Sequence, residues 1–295
     1  MGRFKMENDR LVVTIDDLGA ELVSIYDKKY SRELIWQGDP AWWKRQAPIL
    51  FPNVGKFYGG EYLYQGRHYV QDQHGFARDY VLERVEESPA SVTHRLVSNA
   101  ETRKVYPFDF ELMITHRLDG DKVDIQWQVK NTGDHPMHFT IGGHPGFNVP
   151  VLPDTEYSDY ALKFAEDQDE LHFIHIDMNT GTGLPDKVYT MTLTDHKYQL
   201  RKDLFDLDAL VFDGGQIRQA GIVMPDGSDY LTLLCDGFPN FGIWAAPGAP
   251  FVCLEPWCGR CDNFGYEGEL QDKPGINSLN VDETFKKVYS IVVGG

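Results

Sequence analysis

The sequence predicts an all-β protein, a large antiparallel β-sandwich, and three observations support this prediction. Segments in which apolar and polar residues alternate recur along most of the 295-residue chain, as is typical of half-buried strands. Turn signals rich in Gly, Asp, Asn and Pro separate many of these segments, which favours antiparallel neighbours. Helical periodicity is weak, and only short stretches around residues 40–46 and 202–206 fit a helix.

The alternating segments supply the individual strands of this prediction. In chain order they are RLVVTI, ELVSIYD, YVLERVEE, SVTHRLVS, FDFELMITHRL, KVDIQWQVKN, HFTIGG, YTMTLTD, AGIVMPD, YLTLLCD and VYSIVV. The fifth and sixth flank a turn at Asp119–Asp121 and are predicted to form a β-hairpin. No repeat and no linker-like change in composition is visible, so we expect residues 1–295 to form one domain.

Composition and charge exclude several classes of function. The formal net charge is −17, which argues against a nucleic-acid or anionic-membrane partner, because both require a basic face. The chain contains no G-x-G-x-x-G, P-loop or G-x-S-x-G motif, so dinucleotide enzymes, P-loop NTPases and α/β-hydrolases are not indicated. No signal-peptide pattern or uninterrupted apolar span is present, and we expect a cytoplasmic protein.

The cysteines allow a metal or iron–sulfur site to be considered. The chain has four, of which Cys253, Cys258 and Cys261 have a C-x4-C-x2-C spacing found in some ferredoxins. The fourth, Cys235, lies well upstream, and Pro256 and Trp257 occupy the loop that would wrap a cluster. We therefore predict buried cysteines without a metal or cofactor, and keep a metal site as an alternative.

Three short stretches each place one ionisable side chain in a rigid frame at a strand end. QDQHGFARDY carries His74 and Arg78, and FTIGGHPGFNVP carries His144 between glycines and a proline. FVCLEPWCGRCD carries Glu255 directly after an apolar strand, beside Trp257. A carboxyl group at the end of a buried strand should have a raised pKa, as a general base working near neutral pH requires.

Two imidazoles and one carboxylate favour proton transfer without a metal or a covalent nucleophile. A glycosidase normally needs a pair of carboxyl groups, and only Glu255 has such a setting. An acid and a base on opposite sides of a hydroxylated ring would fit ring opening better than hydrolysis. A turn histidine, or a Glu255 paired with Arg260, would be the structural alternative.

With these motifs the chain resembles the aldose 1-epimerase (galactose mutarotase-like) family, and within it the LacX-like branch. The resemblance runs through LGAELVSIYDKKYSRELIWQGDPAWWKRQAPILFPNVGKF, QHGFARD, GGHPGFNVP and GIWAAPGAPFVCLEPWCGRCD. It implies a galactose mutarotase-type β-sandwich, a cofactor-independent isomerase and a sugar substrate, with a homodimer as a possible assembly. Glu255 is the implied base at the C1 hydroxyl, and His144 the implied acid at the ring oxygen.

The resemblance also implies the substrate-binding residues. His74 would hold the sugar near the ring oxygen, Arg78 would contact hydroxyls or orient His74, and Asp208 and Trp257 would complete the site. Lys56 stands where many relatives carry Arg, which removes a planar two-pronged donor, so galactose is not assumed. Two alternatives stay open. One is a hexose-phosphate mutarotase, with Lys56, Arg78 and Arg260 on the phosphate. The other is a non-catalytic carbohydrate-binding or regulatory protein.

Overall fold

A computed structural model describes residues 2–295, and the chain is almost entirely β-structure. The strands are β1 (Arg3–Glu7), β2 (Leu11–Asp16), β3 (Leu22–Asp27), β4 (Arg32–Glu33), β5 (Ile49–Leu50), β6 (Glu61–Tyr64), β7 (Arg67–Val70), β8 (Glu83–Ser88), β9 (Ser91–Val97), β10 (Phe110–Asp119), β11 (Lys122–Asn131), β12 (Met137–Phe139) and β13 (Ile141–Gly143). They continue with β14 (Gly146–Asn148), β15 (Ala161–Lys163), β16 (Glu170–Asp177), β17 (Thr182–Thr192), β18 (Lys197–Gln199), β19 (Leu210–Phe212), β20 (Gln219–Val223), β21 (Asp229–Leu234), β22 (Asn240–Trp244), β23 (Phe251–Cys258), β24 (Asn277–Leu279) and β25 (Thr284–Val293).

Helical structure is confined to short turns. One α-helix, α1, spans Thr102–Val105, and 3-10 turns occupy Tyr58–Gly60, Ala77–Asp79, Tyr157–Asp159 and Leu270–Asp272. The helices expected around residues 40–46 and 202–206 are wrong, because both stretches form turns. Within residues 2–295, no helix has both the length and the apolar character needed to cross a membrane.

Two large sheets make up the sandwich, and every pairing between strands is antiparallel. The nine-stranded sheet has the order β18-β15-β20-β21-β25-β11-β10-β9-β8. The eight-stranded sheet has the order β17-β16-β19-β22-β23-β13-β5, with β14 added beside β23. The predicted hairpin is confirmed, since Asp119 pairs with Lys122 across the turn. The all-β, antiparallel sandwich predicted from the sequence is likewise confirmed.

The main core lies between the two large sheets, and β23 crosses its centre. Trp127 and Ile291 of the nine-stranded sheet belong to the same apolar cluster as Ile243 and Leu254 of the eight-stranded sheet. All eight residues of β23 are buried, as expected for FVCL from its apolar character. The other face of the eight-stranded sheet carries a smaller cluster that contains Trp257. Each face of β23 is therefore covered.

The indole of Trp257 lies flat on the outer face of the eight-stranded sheet because its neighbours are glycines. Gly142 pairs with Trp257 from one side, and Gly242 pairs with Glu255 from the other. A Cβ atom at either glycine would lie 2.4 Å from an indole carbon, which is far inside van der Waals contact. Glycine at these positions is therefore required for the packing of the indole. The segment HFTIGG, predicted as one strand, is divided at Thr140 into β12 and β13.

A buried salt bridge joins the segment after β23 to the loop around residue 270. Lys273 pairs with Asp262, and both side chains are almost fully buried. Asp262 also accepts a hydrogen bond from the amide of Tyr58, at 2.9 Å, and donates its own amide to the carbonyl of Lys56, at 3.0 Å. The pair thereby positions residues 56–58 beside the end of β23.

We expect Lys273→Met to lower the free energy of unfolding by about 3–5 kcal/mol, because it leaves the Asp262 carboxylate buried without its partner. Urea denaturation would measure the change. The matched control is Lys163→Met, which breaks the Lys163–Asp229 pair on the surface and should cost about 0–1 kcal/mol. Equal losses from the two variants would contradict the assignment.

Candidate active site

A cavity of about 630 Å³ opens on the outer face of the eight-stranded sheet. This volume lies within the roughly 300–1,000 Å³ that small-molecule sites occupy. The cavity is lined by residues that were predicted from the sequence and by others that were not. They include Trp43, Lys44, Arg45, Gln73, His74, Arg78, His144, Phe205, Asp208, Trp244, Glu255 and Trp257.

The three predicted stretches converge on this cavity. His144 follows β13, Glu255 lies in β23, and His74 lies in the loop after β7. The Nε2 atom of His144 is 3.3 Å from Oε2 of Glu255, and the ring centroids of His74 and His144 are 5.5 Å apart. The carboxyl and imidazole groups lie side by side, and do not face each other from opposite sides of the cavity as the sequence suggested.

Burial dominates the electrostatics of Glu255. The side chain is about 1% exposed, and burial raises its pKa well above the usual range, with the negative charge of Asp208 acting in the same direction. Oε2 has no hydrogen-bond partner although it is buried. The carboxyl group is therefore held ready for a proton or for a ligand, in agreement with the environment expected from the sequence.

The imidazole of His144 is fixed by aromatic rings. Trp43 stacks on it with centroids 4.7 Å apart, and Trp244 meets it edge-on at 5.7 Å. Burial lowers the pKa of His144 to about 3, and the positive charge of Arg78 contributes. The Nδ1 atom is buried without a partner. The ring is consequently neutral at rest and its orientation is set by packing.

His74 is held in one tautomer by reciprocal hydrogen bonds to Gly55. Its amide donates to the Gly55 carbonyl at 2.8 Å, and the Gly55 amide donates to Nδ1 at 3.0 Å. Because Nδ1 accepts, the ring proton resides on Nε2. Burial lowers the pKa of His74 well below its usual value, so the ring is neutral. Its Nε2 lies 3.2 Å from the side-chain amide nitrogen of Gln73, another lining residue.

The backbone of His74 is constrained by the residue that follows it. His74 has φ of 70°, a left-handed conformation that non-glycine residues adopt at a cost. Gly75 also has positive φ, and a Cβ there would lie 2.3 Å from the carbonyl oxygen of Phe51. The H-G pair in HGFARD is thus required by the close approach of two chain segments, and this approach turns the His74 ring towards the cavity.

The remaining predicted residues divide into two groups. Arg78, Asp208 and Trp257 line the cavity. The guanidinium of Arg78 donates to the carbonyl of Gln73 at 2.5 Å, while its buried Nε has no partner. Burial lowers its pKa to about 10, so it stays charged. Asp208 has φ of 68° and its carboxylate accepts from the amide of Ala209 at 2.7 Å.

Lys56 lies at the margin of the cavity and Arg260 outside it. The alkyl stem of Lys56 packs against Gly181, which lines the cavity, and its charge contributes to the lowered pKa of His74. Arg260 donates from Nε to both carboxylate oxygens of Asp213, at 2.9 and 3.0 Å, so it neither neutralises Glu255 nor reaches the cavity. The trio of Lys56, Arg78 and Arg260 considered for a phosphate is not assembled.

The four cysteines do not form a cluster. All are buried free thiols, and within residues 2–295 no three of them bring their sulfurs within ligand distance of one another. The C-x4-C-x2-C spacing is therefore not a ligand set. The one group of potential ligands that the described residues do assemble combines Cys253 with His144 and Glu255.

Several lining residues were not predicted from the sequence. Trp43, Arg45 and Trp244 lie in stretches that carry the family resemblance but were given no role, and Phe205 lies in none of them. Trp244 ends β22, whereas the other three reach the cavity from segments between strands. The pair of tryptophans in AWWKRQA is an unusual feature that could have drawn attention to this loop. Nothing in local spacing indicates that Trp43 stacks on an imidazole 101 positions further along the chain.

Comparison with known proteins gives a consistent result. A sequence model described as aldose 1-epimerase matches residues 2–290. The chromosomal protein LacX of Lactococcus lactis subsp. lactis is 33% identical over 301 aligned residues, covering 98% of each chain. A galactose mutarotase-related enzyme from Lactobacillus acidophilus has a TM-score of 0.93 at 31% identity, covering 100% of this chain and 98% of that one.

A galactose mutarotase-like protein from Lactobacillus casei agrees with these matches. Its TM-score is 0.89 at 28% identity, and the alignment covers 99% of this chain and 100% of that one. The family predicted from the sequence motifs is therefore confirmed. The family match, which extends over nearly the whole chain, shows that this protein belongs to the aldose 1-epimerase family.

Proposed function

We propose that this protein is a mutarotase that interconverts the α and β anomers of an aldose by acid–base ring opening and closure. The observation that carries the proposal is the convergence of Glu255 and His144, 3.3 Å apart, on one cavity of about 630 Å³. Family membership supports this type of reaction. The identity of the sugar is open.

The side-by-side placement of the two groups suits the geometry of the reaction. The C1 hydroxyl and the ring oxygen of a pyranose are both bonded to C1, so one acid and one base must reach two atoms that are close together. In the reacting form the one proton of the pair has moved from Glu255 to His144. Glu255 then takes the hydroxyl proton while the C1–O5 bond breaks, and His144 gives its proton to the ring oxygen. The product is the open-chain aldehyde.

Ring closure completes the exchange. Rotation about the C1–C2 bond presents the other face of the aldehyde to O5. His144 then removes the proton from the O5 hydroxyl, and Glu255 returns a proton to the C1 oxygen. The enzyme regains its starting protonation state, with no net consumption of protons.

The rest of the cavity would hold the sugar during this rotation. The Nε2–H of His74, which lies beside the Gln73 side-chain amide, would donate to the ring oxygen or a neighbouring hydroxyl. Asp208 and Arg78 offer an acceptor and a donor for further hydroxyls. The faces of Trp257 and Trp244 supply apolar surface for the C–H face of a pyranose.

Removal of either proton-transfer group should abolish most of the rate. We expect Glu255→Gln and His144→Asn each to lower kcat for mutarotation by roughly 10²–10⁴-fold, since each deletes one general acid–base group. Polarimetry on a freshly dissolved α-anomer would measure the rate. Glu111→Gln, on the far-lying nine-stranded sheet, is the control and should retain the parental rate. Unchanged rates in both active-site variants would refute the assignment.

The pH dependence follows from the two pKa shifts. Burial raises the pKa of Glu255 well above its usual range and lowers that of His144 to about 3. Between these values the pair holds one proton, which the active form carries on the imidazole. We expect the rate to fall as pH rises through the pKa of Glu255, because the pair then loses its only proton.

Removal of the Asp208 charge should lower the pH at which the mutarotation rate decreases. The negative charge of Asp208 raises the pKa of Glu255, so Asp208→Asn should lower that pKa and shift the fall to lower pH. The matched control is Asp206→Asn, an exposed carboxylate in the same turn, which should leave the profile in place. A parental rate that increases with pH through this range would contradict the one-proton mechanism.

A phosphorylated aldose is a second candidate substrate, favoured by the cations at the cavity. Lys44, Arg45 and Arg78 all line it, although Arg45 also pairs with Asp79 at 2.7 Å. If a phosphate binds there, kcat/KM for an aldose 6-phosphate should exceed that for the parent aldose, and Arg45→Gln should remove this advantage while leaving the neutral sugar unaffected. A preference for the neutral sugar would exclude this candidate.

A non-catalytic carbohydrate-binding protein is the other alternative. Saturable sugar binding without acceleration of mutarotation would identify it.

A further inference from the structure

A buried thiol lies next to the two proposed proton-transfer groups. Cys253 and Glu255 are two residues apart in β23, so their side chains leave the same face of the strand. The sulfur of Cys253, a carboxylate oxygen of Glu255 and a ring nitrogen of His144 all lie within 4.8 Å of one another. Within residues 2–295, no other set of three such side chains comes this close.

Two members of this cluster have unused bonding capacity. Nδ1 of His144 and Oε2 of Glu255 are buried and have no hydrogen-bond partner. The two side chains are about 6% and 1% exposed, and Cys253 is fully buried. Buried polar atoms usually have a partner. Here the two side chains that carry these atoms come within 4.8 Å of the Cys253 sulfur, which is a further potential ligand atom.

The donor set fits a thiophilic divalent cation. Zinc is bound by sulfur, imidazole nitrogen and carboxylate oxygen at roughly 2.0–2.3 Å, so ligand atoms around one tetrahedral ion lie about 3.3–3.8 Å apart. A span of 4.8 Å requires only a small inward movement of the side chains. His144 and Glu255 also line the cavity, which leaves a fourth coordination position for water.

The ligand types also decide which ion fits the site. Thiolate and imidazole ligands favour zinc-like ions over magnesium or calcium.

We propose that His144, Cys253 and Glu255 form an inhibitory binding site for Zn²⁺ or a similar thiophilic divalent cation. Cation binding is inferred from the geometry of the cluster alone. Inhibition by the bound cation rests on the proposed mutarotase function. An ion at this site occupies the lone pairs of both the acid and the base, and neither can then exchange protons with a sugar.

Binding can be measured without any assay of activity. Chelator-treated protein would be titrated with Co²⁺, whose coordination by a thiolate gives a charge-transfer absorption band. We expect one equivalent to bind and Zn²⁺ to displace it, while Mg²⁺ and Ca²⁺ do not. Cys253→Ser should abolish the band and weaken binding by at least about tenfold. Cys258→Ser, in the same strand but on its opposite face, is the matched control and should bind as the parent does.

Activity supplies a second arm. Zn²⁺ should inhibit mutarotation reversibly, with chelator restoring the rate, and Cys253→Ser should keep the basal rate but resist the ion. The proposal is overturned if no thiolate band forms, or if Cys253→Ser and the parent bind Zn²⁺ equally. A thiolate band in a protein that shows no mutarotase activity would instead count against the proposed function alone.

Discussion

The burial of one carboxyl group in the central strand of a sheet is the constraint on which the site depends. Glu255 lies in β23, whose eight residues are all buried, and no arginine or lysine neutralises it. Such a group can remain in an apolar interior only in its protonated form or beside a partner that shares its proton. Burial keeps Glu255 in the protonated form, and the imidazole of His144, 3.3 Å away without a hydrogen bond between them, is placed to take its proton. The stacked Trp43, the positioned His74 and the cavity itself surround this pair.

Burial also keeps the ionisable groups at the centre of the cavity uncharged at rest. His144 and His74 are both held neutral by burial, and the charges of two lining residues, Arg45 and Arg78, lower both pKa values further. Charge is created in the centre only when the carboxyl proton moves to the imidazole. The environment that raises one pKa and lowers the other would keep a single proton in the pair. The neighbouring thiol of Cys253 gives the same pair its proposed sensitivity to a thiophilic cation.

Sequence patterns predicted the long strands and the three motif stretches that meet at the cavity. They did not predict which distant residues contact one another. β11 begins and ends where KVDIQWQVKN predicts, because alternation over ten residues fixes both its faces. β5 and β13, with two and three residues, are too short for alternation to be visible. The stretch AWWKRQA forms turns, since its side chains are engaged by other segments: Trp43 stacks on His144. Arg260 looked available from sequence, but a carboxylate 47 positions upstream pairs with it.

The glycines behind Trp257 have a consequence for substrate choice. Gly142 and Gly242 support the underside of the indole, and neither lines the cavity. A methyl group at either position would lift the ring and make the chamber shallower. The largest ligand that fits is therefore limited in part by residues that never touch it, so exchanges at these two hidden positions would change the size selectivity of the cavity without altering any of its ionisable groups.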